Sequence, residues 1–128
     1  MTRWHLRPHR KSTGGLLDTY RKKKRYERGS KFLESKLGEH RNKIVTCTGG
    51  NRKTKLLSAD KVNVAKKGKA RQVKIESVLE NPTNPNYVRR NVLTRGAVVK
   101  TELGNVRITS RPGQDGIVNG IVVSGEKK

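Results

Sequence analysis

Residues 44–58 run Ile44-Val45-Thr46-Cys47-Thr48, then Gly49-Gly50-Asn51, then Arg52-Lys53-Thr54-Lys55-Leu56-Leu57-Ser58. A β-branched run, a glycine-rich turn and a second extended run predict a β-hairpin. Cys47 falls mid-strand in this reading, where a small buried side chain is its ordinary use. Downstream the rhythm continues. Val73, Ile75 and then Val78 or Leu79 alternate, and the segment stops at Asn81-Pro82-Thr83-Asn84-Pro85-Asn86, a strong breaker. Residues 87–93, 97–101, 105–109 and 117–123 follow as further strands, separated by Thr94-Arg95-Gly96, Leu103-Gly104 and Pro112-Gly113-Gln114-Asp115-Gly116. Short strands at this spacing, with no helical period between them, predict a mainly β fold, a small antiparallel barrel or sandwich. Residues 61–69 are basic and contain a glycine, so they read as a solvated loop.

Outside this region the pattern changes. Residues 1–43 hold 14 basic and 4 acidic side chains and no amphipathic face long enough to bury. The run Arg21-Lys22-Lys23-Lys24-Arg25 disfavours a helix until a counter-charge arrives, so an extended or disordered arm is expected. The expected organisation is an arm over residues 1–43, a β-domain over 44–124 and a charged tail over 125–128.

The whole chain has 128 residues, with 31 Lys and Arg against 10 Asp and Glu, a formal charge of +21. Hydrophobic residues make up 30% and aromatic ones 4%, which allows one compact unit of about 80 residues and leaves a solvated remainder. No apolar run approaches the ~20 residues of a membrane span, and the N-terminus lacks the apolar stretch of a secretory signal. A soluble, intracellular, cytoplasmic protein is expected, in keeping with a single cysteine that cannot form an internal disulfide.

Such an excess of positive charge makes physical sense beside a polyanion. Nucleic acid fits: about eight phosphate contacts give a log–log salt slope on the order of −6 to −7. The candidate phosphate contacts are Arg7, Arg10, Lys11, Arg21, Lys22, Lys23, Lys24, Arg25, Arg52, Lys53, Arg89, Arg90 and Arg111. Trp4 and Tyr20, interleaved with these cations, suit stacking on unpaired bases. Tyr26 and Phe32 have an alternative use as anchors of the arm. Gly14, Gly15, Gly49, Gly50, Asn51 and Gly113 lie in turns where the backbone can approach an RNA strand closely, and Gly49-Gly50-Asn51 can aim N–H groups at an anion. Arg89-Arg90 falls in an expected strand, so one arginine faces outward and its neighbour the other way.

Catalysis finds little support. His5 and His9 are spaced i, i+4, but Pro8 intervenes and no third ligand presents itself; His40 stands alone. Cys47 has no partnering base nearby, and the acids are scattered singly. No catalytic residue, metal, cofactor or small-molecule substrate is expected. A membrane-surface role is disfavoured because the arm has no apolar face to bury.

The motif Lys11-Ser12-Thr13-Gly14-Gly15, five residues, then Arg21-Lys22-Lys23-Lys24-Arg25-Tyr26-Glu27-Arg28-Gly29 resembles the N-terminal signature of a ribosomal family. That family is the small-subunit ribosomal protein eight family of the archaeal and eukaryotic type, distinct from the universal protein eight. Gly49-Gly50-Asn51 with Lys53, Asn81-Pro82-Thr83-Asn84, Tyr87-Val88-Arg89-Arg90-Asn91, Thr94-Arg95-Gly96 and Thr109-Ser110-Arg111-Pro112-Gly113-Gln114-Asp115-Gly116 resemble it as well, the last block its archaeal branch. Ser30 departs from the signature, in which a basic residue follows the closing glycine. The resemblance implies a structural component of the small ribosomal subunit, with a β-barrel-like part and a basic arm laid into ribosomal RNA beside neighbouring ribosomal proteins. The alternative from the residues alone is an architectural, chromatin-type DNA-binding protein.

Overall fold

The computed structural model describes residues 3–66 and 68–123, so the expected tail over 125–128 lies outside the described residues. The chain divides into two compact units, Met1–Phe32 and Leu33–Lys128. Residues 33–43, grouped with the arm by their charge, fall in the second unit.

The hairpin in the second unit forms as its sequence dictates. Strand β2 (Arg41–Thr46) pairs antiparallel with β3 (Arg52–Ala59), joined through a 3-10 turn over Thr48–Gly50. Cys47 lies past the end of β2 rather than mid-strand, half-buried, with its N–H donated to the Asn51 carbonyl at 2.6 Å. A short strand β1 (Lys36–Leu37) adds parallel to β3 on its other side, completing a three-stranded sheet.

The remaining strands close into a barrel in the order β4 (Lys61–Lys66), β5 (Lys69–Glu80), β6 (Val98–Thr101), β7 (Gly104–Ile108) and β8 (Asn119–Val122). Successive neighbours are antiparallel, and β8 returns to β4 as a parallel pair. The parity follows from the strand number: five strands alternating in direction bring the last beside the first with the same sense. Register shifts near Ile75 and Val78 mark irregularities that bend the long β5 around the closure.

The core is built from Leu56, Val62, Val64, Val73, Ile75, Val99, Val106 and Ile108, joined by Leu93, Ala97 and Val118 from the connections. Among the described residues no aromatic ring is buried in it. Valine-rich strands fill a small barrel well, because branching at Cβ suits the pleated surface and costs little rotamer freedom. Leu56 belongs to β3 yet is fully buried with the barrel residues, so one core serves both sheets. At β8 the chain passes so close to β7 that a Cβ on Gly120 would stand 2.5 Å from Val106 Cγ1 and 2.8 Å from the Arg107 carbonyl.

Two expectations are corrected. Residues 61–66 are the barrel strand β4, not a solvated loop. Lys61-Val62-Asn63-Val64-Ala65 alternates with a period of two, so Val62 and Val64 point inward and are buried while Lys61 faces out. Residues 87–93 are not a strand. A single helical turn α1 (Asn86–Arg89) forms after Pro85, with Asn84 Oδ1 accepting from the Asn86 N–H at 3.0 Å, and Asn91 then takes a positive φ of 49°. Asn81, 7% exposed, pins this segment from three sides. Its Nδ2 donates to the Val92 carbonyl at 3.1 Å, and its Oδ1 accepts from Thr83 N–H at 3.1 Å and Thr94 Oγ1 at 2.9 Å.

A second helical turn, α2 (Pro112–Asp115), packs on β3, with Gly116 set directly against the Thr54 side chain.

Candidate nucleic-acid interface

The first unit is irregular, and its only regular element among the described residues is a 3-10 turn over Arg25–Glu27. It nevertheless doubles back on itself. Trp4 bridges to Arg28, His5 N–H donates to the Glu27 carbonyl at 2.8 Å, and Gly29 N–H donates to the Arg3 carbonyl at 2.7 Å. A Cβ at Gly29 would collide with that carbonyl, which explains why this approach requires glycine. A second, tighter turn joins Arg10 to Leu16, and Arg10 Nη1 closes it by donating to the Gly14 carbonyl at 2.7 Å. Gly14 adopts φ +86° there, with Gly15 beside it and both exposed.

Arg21 is the centre of this unit. Its guanidinium pairs with the buried Glu27 and donates to Tyr20 Oη at 3.0 Å, to the Lys22 carbonyl at 3.3 Å and to Tyr26 Oη at 3.4 Å. Glu27 also accepts the Lys24 N–H at 2.9 Å. The Arg21 guanidinium first, and the Lys24 backbone second, hold the Glu27 carboxyl below the ordinary glutamate value. Glu27 and then Tyr20 raise Arg21 above its usual value in turn. Arg21 is thus an organising cation with most of its donors engaged, whereas Lys22, Lys24 and Arg25 are exposed around it. Lys23 Nζ stands 5.5 Å from the Trp4 ring centroid, and the Arg21 guanidinium 5.3 Å from that of Tyr20. Tyr20 is 89% exposed, and Tyr26 and Phe32 also leave most of their surface open. Arg7 and Lys11 are exposed too. His5 and His9 both line a cavity in this unit; no group of three metal-ligating side chains occurs among the described residues.

In the second unit the hairpin separates two cations that adjoin in sequence. Strand alternation turns Arg52 to the face of Thr54 and Leu56, the side on which the loop carrying Arg111 and Gly113 packs. Lys53 turns to the opposite face, with Lys43 and Lys55. Arg111 is exposed, and its N–H donates to Asp115 Oδ2 at 2.8 Å, which fixes the loop. At the hairpin tip Gly49 and Gly50 adopt φ +75° and +74°, and Asn51 Nδ2 donates to the Thr48 carbonyl at 3.3 Å. No side chain crowds Gly50 or Gly113.

Arg89 and Arg90 are not on opposite faces of a strand, because they close the turn α1 and are both exposed. Arg90 Nη2 pairs with Glu34 Oε2 at 2.6 Å. His40 Nε2 lies 3.0 Å from Asn42 Nδ2, a local surface contact.

Sequence reasoning passed over Lys43 and Lys55, which stand across from each other in the β2–β3 ladder, and Lys61 and Lys74, which do the same between β4 and β5. The signal was available only through register, which decides which lysines meet across a ladder. Four ion pairs occur among the described residues, against 31 Lys and Arg in the chain. Most of the positive charge is therefore uncompensated from within.

The family model described as Ribosomal protein S8e matches residues 4–123. Proteins named small ribosomal subunit protein eS8 are similar to the chain over nearly its whole length. That of Methanospirillum hungatei is 50% identical over 122 residues, covering 94% of this chain and 98% of the relative. Those of Methanocorpusculum labreanum and Methanosarcina barkeri are 47% and 44% identical over 122 and 123 residues, each with the same coverage. None of these relatives supports a chromatin-type DNA-binding alternative. With a family match that runs through both units and across the signature, hairpin and loop already described, the chain belongs to the Ribosomal protein S8e family.

Proposed function

We propose that this protein is a structural constituent of the small ribosomal subunit that binds folded small-subunit ribosomal RNA and neighbouring ribosomal proteins in the cytoplasm. One observation carries the RNA reading: lysines are placed face to face in two β-ladders with almost no acidic relief. Like charges directly opposite are destabilising in a free sheet. A phosphate backbone reverses the sign of that cost, and neutralised phosphates release counterions. The membership of the family supports the ribosomal setting.

In this reading Arg7, Arg10, Lys11, Lys22, Lys23, Lys24 and Arg25 contact phosphates from the first unit, with Trp4 and Tyr20 stacking on bases. Arg21 is held by Glu27 and acts by shaping that segment. In the second unit Arg52, Lys53, Arg89, Arg90 and Arg111 supply phosphate contacts, and the turn over Gly49, Gly50 and Asn51 approaches the backbone. Phosphate contacts fix position; specificity comes from RNA shape and unpaired bases. The role calls for no catalytic group, cofactor, membrane or small-molecule substrate.

The test is salt-titrated binding to small-subunit ribosomal RNA, with duplex DNA as competitor. Replacing Lys22, Lys23 and Lys24 together by alanine should lower the magnitude of the salt slope by about 2, at roughly 0.7 for each phosphate no longer neutralised. Preference for duplex DNA, or a chain that does not co-sediment with the small subunit, would overturn the reading.

A further inference from the structure

A cavity of about 660 Å³ lies within the first unit, lined among others by Leu6, Pro8, Leu17, Asp18, Tyr20 and Lys22. Its volume is in the range of sites that enclose a small organic ligand, and its lining mixes apolar surface with a few polar groups, as such sites do. Two acids reach it. Glu27 is already committed to Arg21 and to the Lys24 N–H. Asp18 is not: its carboxylate forms no ion pair or hydrogen bond with any described residue.

An unpaired carboxylate is a liability on a surface that meets phosphates, since it repels them. The liability disappears if the carboxylate faces hydrogen-bond donors, because an ionised carboxylate only accepts. Unpaired RNA bases present their Watson–Crick edges to proteins. Among the four bases guanine alone offers two adjacent donors on that edge, N1–H and the N2 amino group, which match the two carboxylate oxygens. Leu6, Pro8 and Leu17 supply apolar surface for the base face, the exposed Tyr20 ring a stacking partner, and Lys22 a cation for the phosphate.

We infer that this cavity takes one unpaired guanosine nucleotide of the RNA chain, with Asp18 reading the guanine edge. The inference rests on the RNA-binding reading above and names the base that the first unit selects.

The test uses the full chain and RNA hairpins with all-uridine loops in which one position is changed to guanosine, adenosine or cytidine, at fixed salt. The guanosine loop should bind about tenfold tighter than the others. Asp18→Ala should abolish that preference without weakening binding to the all-uridine loop. Electrostatics alone gives the opposite sign for the variant, because removing a negative charge tightens binding to every loop alike. Equal affinity for all four loops, or a guanosine preference that survives Asp18→Ala, would overturn the inference and leave the ribosomal reading standing. Failure to bind any of the loops or small-subunit RNA would overturn both.

Discussion

Lys43 stands directly opposite Lys55 in the antiparallel β2–β3 ladder, on the face turned away from the buried Leu56. A hydrophobic pair there would make a stickier hairpin and an acid–base pair a more stable one. Two cations at this spacing weaken the free sheet, a cost that an anion bound between them would offset.

Lys55→Glu should therefore separate stability from binding. The free protein gains about 0.2–1 kcal/mol from the new cross-strand pair with Lys43, read as a raised midpoint in urea. Affinity for small-subunit RNA falls in the same variant. Loss of stability and of binding together would mean that Lys55 serves the fold.

Asn81 holds the breaker segment and the turn α1 to the barrel through three hydrogen bonds at 2.9–3.1 Å. Asn81→Ala leaves a buried carbonyl and an N–H without partners and should cost about 1–3 kcal/mol in thermal or urea unfolding. An unchanged midpoint would show that water replaces the side chain without penalty.

Gly120→Ala tests barrel closure. The added methyl would stand 2.5 Å from Val106 Cγ1 and 2.8 Å from the Arg107 carbonyl, where β7 and β8 meet. Destabilisation of about 1–3 kcal/mol is expected from overpacking. Exchange protection of the amides in β4 and β8 should fall most, since Gly120 also pairs with Val64.

The pH response of the first unit follows from Glu27. Its folded pKa lies below its unfolded value, so the contribution of the Arg21–Glu27 pair is complete above the ordinary glutamate range and is lost as pH falls through the lowered folded value. Trp4, the only tryptophan, bridges to the residue next to Glu27 and reports on this order. Its emission should stay constant from neutral pH down to the glutamate range and change below it. Glu27→Gln should remove the transition, with Trp4 in its low-pH state throughout.

Much of the second unit was legible because its signals are local. The β2–β3 hairpin follows from Gly49-Gly50-Asn51 between two extended runs, and β5 ends where Asn81-Pro82 forbids continuation. Strand β4 was missed because Lys61 at its start and the Lys66-Lys67-Gly68-Lys69 run at its end outweighed the short alternation of Val62 and Val64 in composition. The segment over 87–93 was missed because Tyr87, Val88 and Val92 look like strand residues, while Pro85 and the Asn84 side chain fix a turn ahead of them. In the candidate interface the cations themselves were legible, but their division of labour was not. Arg21 and Lys22 are alike in composition and differ in use because Glu27 lies beside only one of them.

By itself the sequence determined the excess of positive charge, the β rhythm and the family, since each is a property of residue types in order and survives any folding. Tertiary structure alone decided that Arg52 and Lys53 face opposite ways, that Lys43 confronts Lys55, that five strands close with a parallel pair, and that Asp18, beside a cavity, pairs with no described residue. These depend on register and on the packing of residues far apart in the chain. A shift of one position in strand pairing would turn the side chains of that strand to the other face.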